Sequence, residues 1–480
     1  MNVYFEEDIR RSDQLAQRHG LTLQTLMENA GRSLFEAITN VINKHDSICI
    51  VAGTGNNGGD GIVLTRYLKM HGYNASLCLP IGKPKTEPAL DHLQYYEECG
   101  YQVDEWSRSN KYDVIIDALL GVGARYGLHG TLQEVVQWAN QAISLRIAVD
   151  IPTGLTADSG YVDNAFCASY TFCLHGLKPS VFLEPSSSYY GAWKSVDIGL
   201  PQTGRWKVWT EEDVNQSTSV RSPYSHKGTY GTGLLVAGSD EMPGSAMLAA
   251  LGAMRSGIGK LTVATTKFTT SVLTPRVPEA TYWTEGLQRI ANGNLSSSFR
   301  AAAIGPGIED RVLVEQAVTT LLTMNIPVVL DAGALNKRTY PLRSHVTVVT
   351  PHPGEFSRMI DMKVIDIQAN RITFASEYAK KHGVIVVLKG AYTVIAYPDG
   401  SGVINTTGNS GLAKGGTGDT LTGMLLAFLC TYENPQKAIS NAVYIHGLCA
   451  DEWTVDRAEA TMLASDISNM LPYVLKRFER

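Results

Sequence analysis

Ser47-Ile-Cys-Ile-Val-Ala-Gly-Thr-Gly-Asn-Asn-Gly-Gly-Asp-Gly61 decides the fold of the amino-terminal half. Residues 47–52 are an apolar run too short for a helix, which reads as a buried strand. The run enters a glycine loop and then a helical stretch through Met70, the opening of a βαβ unit. Upstream, residues 11–44 place Leu, Met, Ile, Val and Ala at helical spacing. Downstream, further strands are expected at 75–79, 112–117 and 145–150, and the last two end in Asp117 and Asp150. Ligands of parallel sheets gather outside the carboxyl ends of strands, so both acids point to one crevice with the glycine loop. That loop is not a dinucleotide fingerprint, because Asn56, Asn57 and Asp60 stand where a phosphate cradle avoids negative charge. Amide oxygens, Asp117 and the Thr153 hydroxyl can instead surround a hard cation, and with so few carboxylates K+ fits at least as well as Mg2+. The alternative is that the acids cap helices or tie down turns.

The second half repeats the strand-to-loop pattern at 231–239, 301–307, 327–333 and 346–355. A strand at 384–390 and an Asp399-Gly400 hairpin turn follow. Its most legible stretch is Asn409-Ser-Gly-Leu-Ala-Lys-Gly-Gly-Thr-Gly-Asp-Thr-Leu-Thr-Gly-Met424. Glycines lead into an amphipathic helix, whose N-terminus is a ready anion site. A carboxylate at that mouth repels an anion, so Asp419 reads as the base that deprotonates a hydroxyl attacking a phosphoryl group. An N-cap is the plainer reading, and the two roles are compatible. His352, held between Pro351 and Pro353, shares a sheet edge with Asp331 and Asp419, which leaves substrate contact and a structural role equally open. Lys389 by itself reads as a solvated charge.

The 480 residues exceed one ordinary core. A hydrophobic content of 44% with 18% charge fits a globular protein, and the net charge of −5 argues against general nucleic-acid binding. Seven scattered cysteines without a CxxC pair predict reduced thiols. The opening Met-Asn-Val-Tyr-Phe-Glu-Glu-Asp lacks the regions of a signal peptide, and no apolar run is long enough to span a bilayer, so a cytoplasmic protein without a membrane partner is expected. Polar, turn-rich sequence from 201 to 219 reads as a linker, with domains expected at 1–215 and 216–480.

Taken together, these motifs resemble the family of bifunctional NAD(P)H-hydrate repair enzymes. The amino-terminal half is similar to its epimerase domain through Gly55-Asn-Asn-Gly-Gly-Asp-Gly61, Asp117-Ala-Leu-Leu-Gly-Val-Gly123 and Asp150-Ile-Pro-Thr-Gly154. The second half is similar to its dehydratase domain through His226-Lys-Gly228, Gly305-Pro-Gly307, Asp331-Ala-Gly333, Thr350-Pro-His-Pro-Gly-Glu355, Leu388-Lys-Gly390 and Lys414-Gly-Gly-Thr-Gly-Asp419. The resemblance implies an α/β chain, a Rossmann-like domain followed by a ribokinase-like one. It implies that R and S hydrates of NADH and NADPH are interconverted, and that the S form is dehydrated at the expense of ADP, giving AMP and phosphate. The hydrate would meet Asn56, Asn57, Gly58, Gly59 and Asp60, the loop Gly121, Val122, Gly123, Ala124, Arg125, Tyr126 and Gly127, and Asp150 as acid/base. Asn57, Asp117 and Thr153 would hold K+. In the dehydratase half Ala246, Gly307, His352 and Asp419 would meet the hydrate. Lys389, Gly390, Ala391, Tyr392, Thr393 and Gly418 would meet the nucleotide, with Mg2+ accompanying it. A homo-oligomer is expected. Thr153 stands where the family often has Ser, and Arg125 and Tyr126 point to a local substrate preference. The rival reading is a ribokinase-like vitamin-alcohol kinase fused to a nucleotide-metabolite-binding module, which would leave a lasting phosphorylated product.

Overall fold

A computed structural model describes residues 1–125, 127–218, 221–295 and 298–479. Tyr126, one of the expected substrate contacts, lies outside them. The chain forms two compact units, one of Met1–Lys207 with Gln368–Asn370, the other of the remaining residues from Val208.

The first unit holds strands β1 (Ile48–Ala52), β2 (Ala75–Cys78), β3 (Val103–Asp104), β4 (Val114–Ala118), β5 (Leu145–Val149), β6 (Tyr170–Leu174) and β7 (Ala192–Val196). They make one seven-stranded sheet in the order β3-β2-β1-β4-β5-β6-β7, parallel throughout. β1 and β4 are buried along their whole length, as continuous apolar runs in a sheet covered on both faces must be. The order reverses between β1 and β4, so the loops after those strands open on a switch-point crevice, the Rossmann-like arrangement. Residues 11–44 are not one helix. They belong to Glu6–Arg18 and Leu23–Ile38, broken at Gly20, whose φ of 94° ends the first, and restarted by Thr22, whose side chain accepts from Thr25 N–H.

The second unit is ribokinase-like. It comprises β8 (Thr232–Val236), β9 (Lys260–Thr265), β10 (Thr281–Thr284), β11 (Ala301–Ile304), β12 (Val328–Leu330), β13 (Thr347–Val349), β14 (Ile385–Leu388), β15 (Thr393–Ala396) and β16 (Gly402–Asn405). They follow one another as β16-β15-β14-β13-β12-β11-β8-β9-β10, parallel except for the β14-β15-β16 meander around Asp399-Gly400. Helix Thr417–Thr431 is apolar nearly all round because it is buried nearly all round. It crosses helix Pro243–Arg255 so closely that a Cβ on Gly423 would lie 1.8 Å from the Ala249 carbonyl oxygen. That crossing sets the start of one helix against the start of the other. The stretch read as a linker holds helix Glu211–Ser217, closed by reciprocal bonds between Thr210 and Asp213, and Asn441 Nδ2 donates to Ser217 Oγ. Capping and packing override its turn-rich composition.

Candidate active sites

In the first unit, the loops after β1, β4, β5 and β6 enclose a cavity of about 480 Å3. Asn56, Asn57, Asp60, Gly121, Val122, Gly123, Ala124 and Asp150 line it together, from segments up to a hundred residues apart. Gly58 and Gly59 do not. They face inward, where a Cβ would strike the Gly53 carbonyl and the Met27 sulfur respectively. Arg125 and Gly127 also fall outside the lining.

Asp150 is buried and holds a φ of 68°, a left-handed conformation that Asp tolerates better than most residues. Its Oδ1 accepts from Leu174 N–H at 3.0 Å and from the ammonium of Lys178. Lys178 is 1% exposed, and its Nζ also donates to the carbonyls of Leu174 (2.8 Å) and Gly176 (3.0 Å). The sequence reading passed over Lys178. Its signal was a lone charge within Leu177-Lys178-Pro179-Ser180-Val181-Phe182, since such a charge is buried only when paired. Burial, reinforced by Asp150 and Asp13 and opposed by Lys178, pushes the Asp60 carboxyl well up.

Beneath the cavity, Asp117 is fully buried. Its Oδ2 accepts from Thr153 N–H (2.8 Å), and its Oδ1 from the Thr153 hydroxyl (2.8 Å) and Leu119 N–H (3.1 Å). Burial prevails over these bonds and pushes its carboxyl up to about 6. Asn57 Nδ2 donates to the Leu120 carbonyl at 3.0 Å, but its buried Oδ1 has no hydrogen-bond partner among the described residues. A buried acceptor left without a donor is costly, and a cation would satisfy it. Of the oxygens expected to meet K+, that of Asn57 is thus the one left open, while Asp117 and the Thr153 hydroxyl already bond to one another. All three are hard donors of the kind K+ takes.

In the second unit, Asp419 lies in the first turn of helix Thr417–Thr431, whose N-cap is Gly416 with no side-chain capping bond. The N-cap alternative for Asp419 is thus not realised. Ser245, at the start of helix Pro243–Arg255, faces the Asp419 carboxyl. Burial pushes that carboxyl up to about 6. The Ser245 hydroxyl opposes the shift, Asp331 and Glu355 add to it, and Lys389 offsets part of it. Lys389 is no solvated charge. Its Nζ donates to Asp331 Oδ1 at 2.9 Å and lies 4.0 Å from Glu355 Oε2. Burial works against the ammonium, but Asp331 and Glu355 outweigh it and raise its pKa. Asp331 also accepts from the hydroxyls of Thr350 and Thr422, each at 2.7 Å. Buried Arg371 donates to the carbonyls of Leu388 (2.9 Å) and Lys389 (2.8 Å), which fixes the end of β14 and the direction of the lysine.

His352 is the N-cap of helix Pro353–Ile360. Its Nδ1 accepts from Gly354 N–H (3.0 Å) and Glu355 N–H (3.4 Å), while Glu355 Oε2 accepts from His352 N–H at 2.8 Å. An accepting Nδ1 makes Nε2 the protonated nitrogen of the neutral ring, a donor on a side chain 54% exposed. The structural and substrate-contact readings of His352 are therefore compatible. Ala246 is buried, and a Cβ on Gly307 would lie 2.7 Å from that of Ser245, so the Gly305-Pro-Gly307 turn borders the same corner.

A cavity of about 400 Å3 adjoins Lys389, lined by Lys389, Gly390, Ala391, Thr393 and Gly418 from the expected nucleotide set. Tyr392 is not among the lining residues. Leu412, Leu421 and Val443 make part of the wall apolar, and His446, whose pKa burial lowers to about 4, faces it as a neutral ring donating from Nε2 to the Thr417 carbonyl at 3.0 Å. A flat heteroaromatic base suits such walls, with its phosphates toward Lys389 and the Gly415–Gly418 loop.

Residues 233–473 match the family described as NAD(P)H-hydrate dehydratase, and residues 23–180 match that described as YjeF-related protein N-terminus. The ADP-dependent (S)-NAD(P)H-hydrate dehydratase of Bacillus subtilis is 53% identical over 271 residues, 56% of this chain and 98% of that protein. The crystal structure of the Bacillus subtilis ADP/ATP-dependent NAD(P)H-hydrate dehydratase, co-crystallised with ATP/Mg2+, superposes with a TM-score of 0.56 at 53% identity, covering 57% of this chain and 99% of that one. The bifunctional NAD(P)H-hydrate repair enzyme Nnr of Moorella thermoacetica is 33% identical over 495 residues, 95% of this chain and 92% of that protein. With both parts matched in one chain and in the same order, this protein belongs to the family of bifunctional NAD(P)H-hydrate repair enzymes.

Proposed function

We propose that the chain repairs hydrated NADH and NADPH, the first unit interconverting the R and S hydrates and the second dehydrating the S form with ADP, giving AMP and phosphate. The observation that carries this is Asp419, a carboxyl pushed up to about 6 at the mouth of a glycine-loop helix, between the Gly307–Ser245 corner and a nucleotide-sized cavity. Asp419 takes the proton of the hydrate hydroxyl as its oxygen attacks the terminal phosphorus, and the bond to the departing AMP breaks. Lys389 and the Gly415–Gly418 amides stabilise charge on the phosphoryl oxygens. The ring nitrogen's lone pair then expels phosphate, and loss of a proton from the neighbouring carbon restores the double bond. Among the described residues no group of three or more His, Cys, Asp or Glu side chains is placed to hold a metal, so Mg2+ would enter chiefly on the nucleotide phosphates. Among the described residues no helix is long and apolar enough to cross a membrane. Cytoplasmic location, assembly as a homo-oligomer, and separate activities for 1–215 and 216–480 are parts of the same proposal.

The test is to incubate the protein with mixed R and S hydrates and either ADP or ATP, following the return of reduced-cofactor absorbance. Recovery of both epimers with release of AMP and phosphate is expected. A phosphorylated product that persists would instead establish a kinase.

In the first unit, Asn57, Asp117 and Thr153 would hold K+, which when bound supplies positive charge tying the glycine loop to the ends of β4 and β5. Epimerisation is therefore expected to fall when K+ is replaced by Li+ or tetramethylammonium at constant ionic strength. Asp117→Ala is expected to remove that ion dependence with most of the activity. Equal rates in all three salts would return Asp117 to a structural role.

A further inference from the structure

Of the acids lining the first cavity, Asp60 and Asp150 belong to the set expected to meet the hydrate, and Asp13 does not. Asp13 lies on helix Glu6–Arg18, before the residues 23–180 that the family description covers. Residues ahead of that helix are tied to the segment carrying Lys178. Tyr4 N–H donates to the Leu177 carbonyl at 2.8 Å, Leu177 N–H donates to the Asn2 carbonyl at 3.0 Å, and the Tyr4 ring stacks on His175 at 4.4 Å. Glu6 N–H, at the helix start, donates to Asp158 Oδ1 at 2.9 Å. Thus clamped, the helix turns Ile9, Arg10 and Asp13 into the cavity that Asp150 and Lys178 also line.

From this placement we infer that Asp13 is a second acid–base residue of epimerisation, acting with Asp150 in the same cavity. The inference rests on the epimerase reading of this unit. Inverting the hydroxyl-bearing carbon requires one proton to leave and another to arrive. Asp150 takes the hydroxyl proton, the O–H electrons form a C=O bond, and the C–N pair withdraws onto the ring nitrogen, which takes a proton from Asp13. Rotation of the freed aldehyde and the reverse transfers close the ring on its other face, regenerating both carboxyls. No co-reactant is consumed. Asp150 alone is poorly placed for both transfers, since its Oδ1 already accepts from Lys178 and Leu174 N–H. Burial, with help from Asp150 and against Lys178, pushes the Asp13 carboxyl up to about 6, a value useful to an acid near neutrality.

The test uses the full chain, a single purified hydrate epimer and no nucleotide, with chromatographic separation of R and S forms. Asp13→Asn is expected to lower the epimerisation kcat by about 10²-fold or more with KM changed by less than about threefold, and Asp13→Glu to recover at least about tenfold of that loss. Dehydration of the S hydrate with ADP should keep its wild-type rate in both variants. An Asp13→Asn variant within about threefold of the wild-type kcat overturns the inference alone. So do equal losses in both variants carried by KM, the mark of a structural role. A wild-type chain that does not epimerise at all overturns the epimerase reading and the inference with it.

Discussion

Asp419→Asn is expected to lower dehydration by about 10²–10⁴-fold, the usual contribution of a general base, while epimerisation continues unchanged. The substitution isolates the base from the scaffold. Asn keeps the volume and still presents an oxygen toward Ser245, and since the N-cap of that helix is Gly416, no cap is lost. What disappears is the ability to take a proton. The wild-type pH profile should carry the same information. A carboxyl pushed up to about 6 is protonated below that pH, so the base is absent there and dehydration should rise as pH increases through about 6, then level off. In Asp419→Asn the residual rate should lose that rising limb. The comparison needs single-turnover rates with saturating ADP, so that nucleotide binding does not mask the chemistry. Near-normal dehydration by the folded variant would reduce Asp419 to a phosphate-loop residue.

Lys178→Met should have the largest effect on stability, an expected loss of about 3–5 kcal/mol, because it strands a buried charge. The lysine and Asp150 side chains are 1% and 8% exposed, so water cannot replace the missing ammonium. Met fills a similar volume, which keeps a cavity from confusing the result. The double variant Lys178→Met with Asp150→Asn should regain most of the lost stability, since an amide does not need the cation and Asn accepts the left-handed backbone at position 150. Both variants should lose epimerisation and keep dehydration. Hydrogen exchange along β4 and β5 in the full chain reports the stability of this unit by itself. If protection there falls equally in the single and double variants, the damage comes from packing and the ion pair is not its cause.

The sequence by itself determined the architecture and most of the chemistry-bearing groups. A short apolar run ahead of a glycine loop and a helical stretch reads as a buried strand of a parallel sheet. The direction of such strands then forces Asp117 and Asp150 toward one edge, whatever the details of packing. The same logic delivered Asp331, His352 and Asp419, because glycine loops, prolines and strand-end acids act locally and leave local signatures. Partnership was decided only by the tertiary structure. Lys389 reads as a solvated charge until Asp331, 58 residues away, is seen to accept a hydrogen bond from its ammonium. Lys178 and Asp13 carry no motif, since what sets each of them apart, an ion pair or a place in a cavity wall, is made with segments distant in sequence. Gly58 and Gly59 look like site residues in a glycine loop, but the crowding of Gly53 and Met27 turns them inward. Periodicity also carried across Gly20, because a helix pattern does not register a single backbone angle that breaks it. Pairing of buried charges depends on which surfaces meet, and a chain read in one dimension holds the partners without their distance.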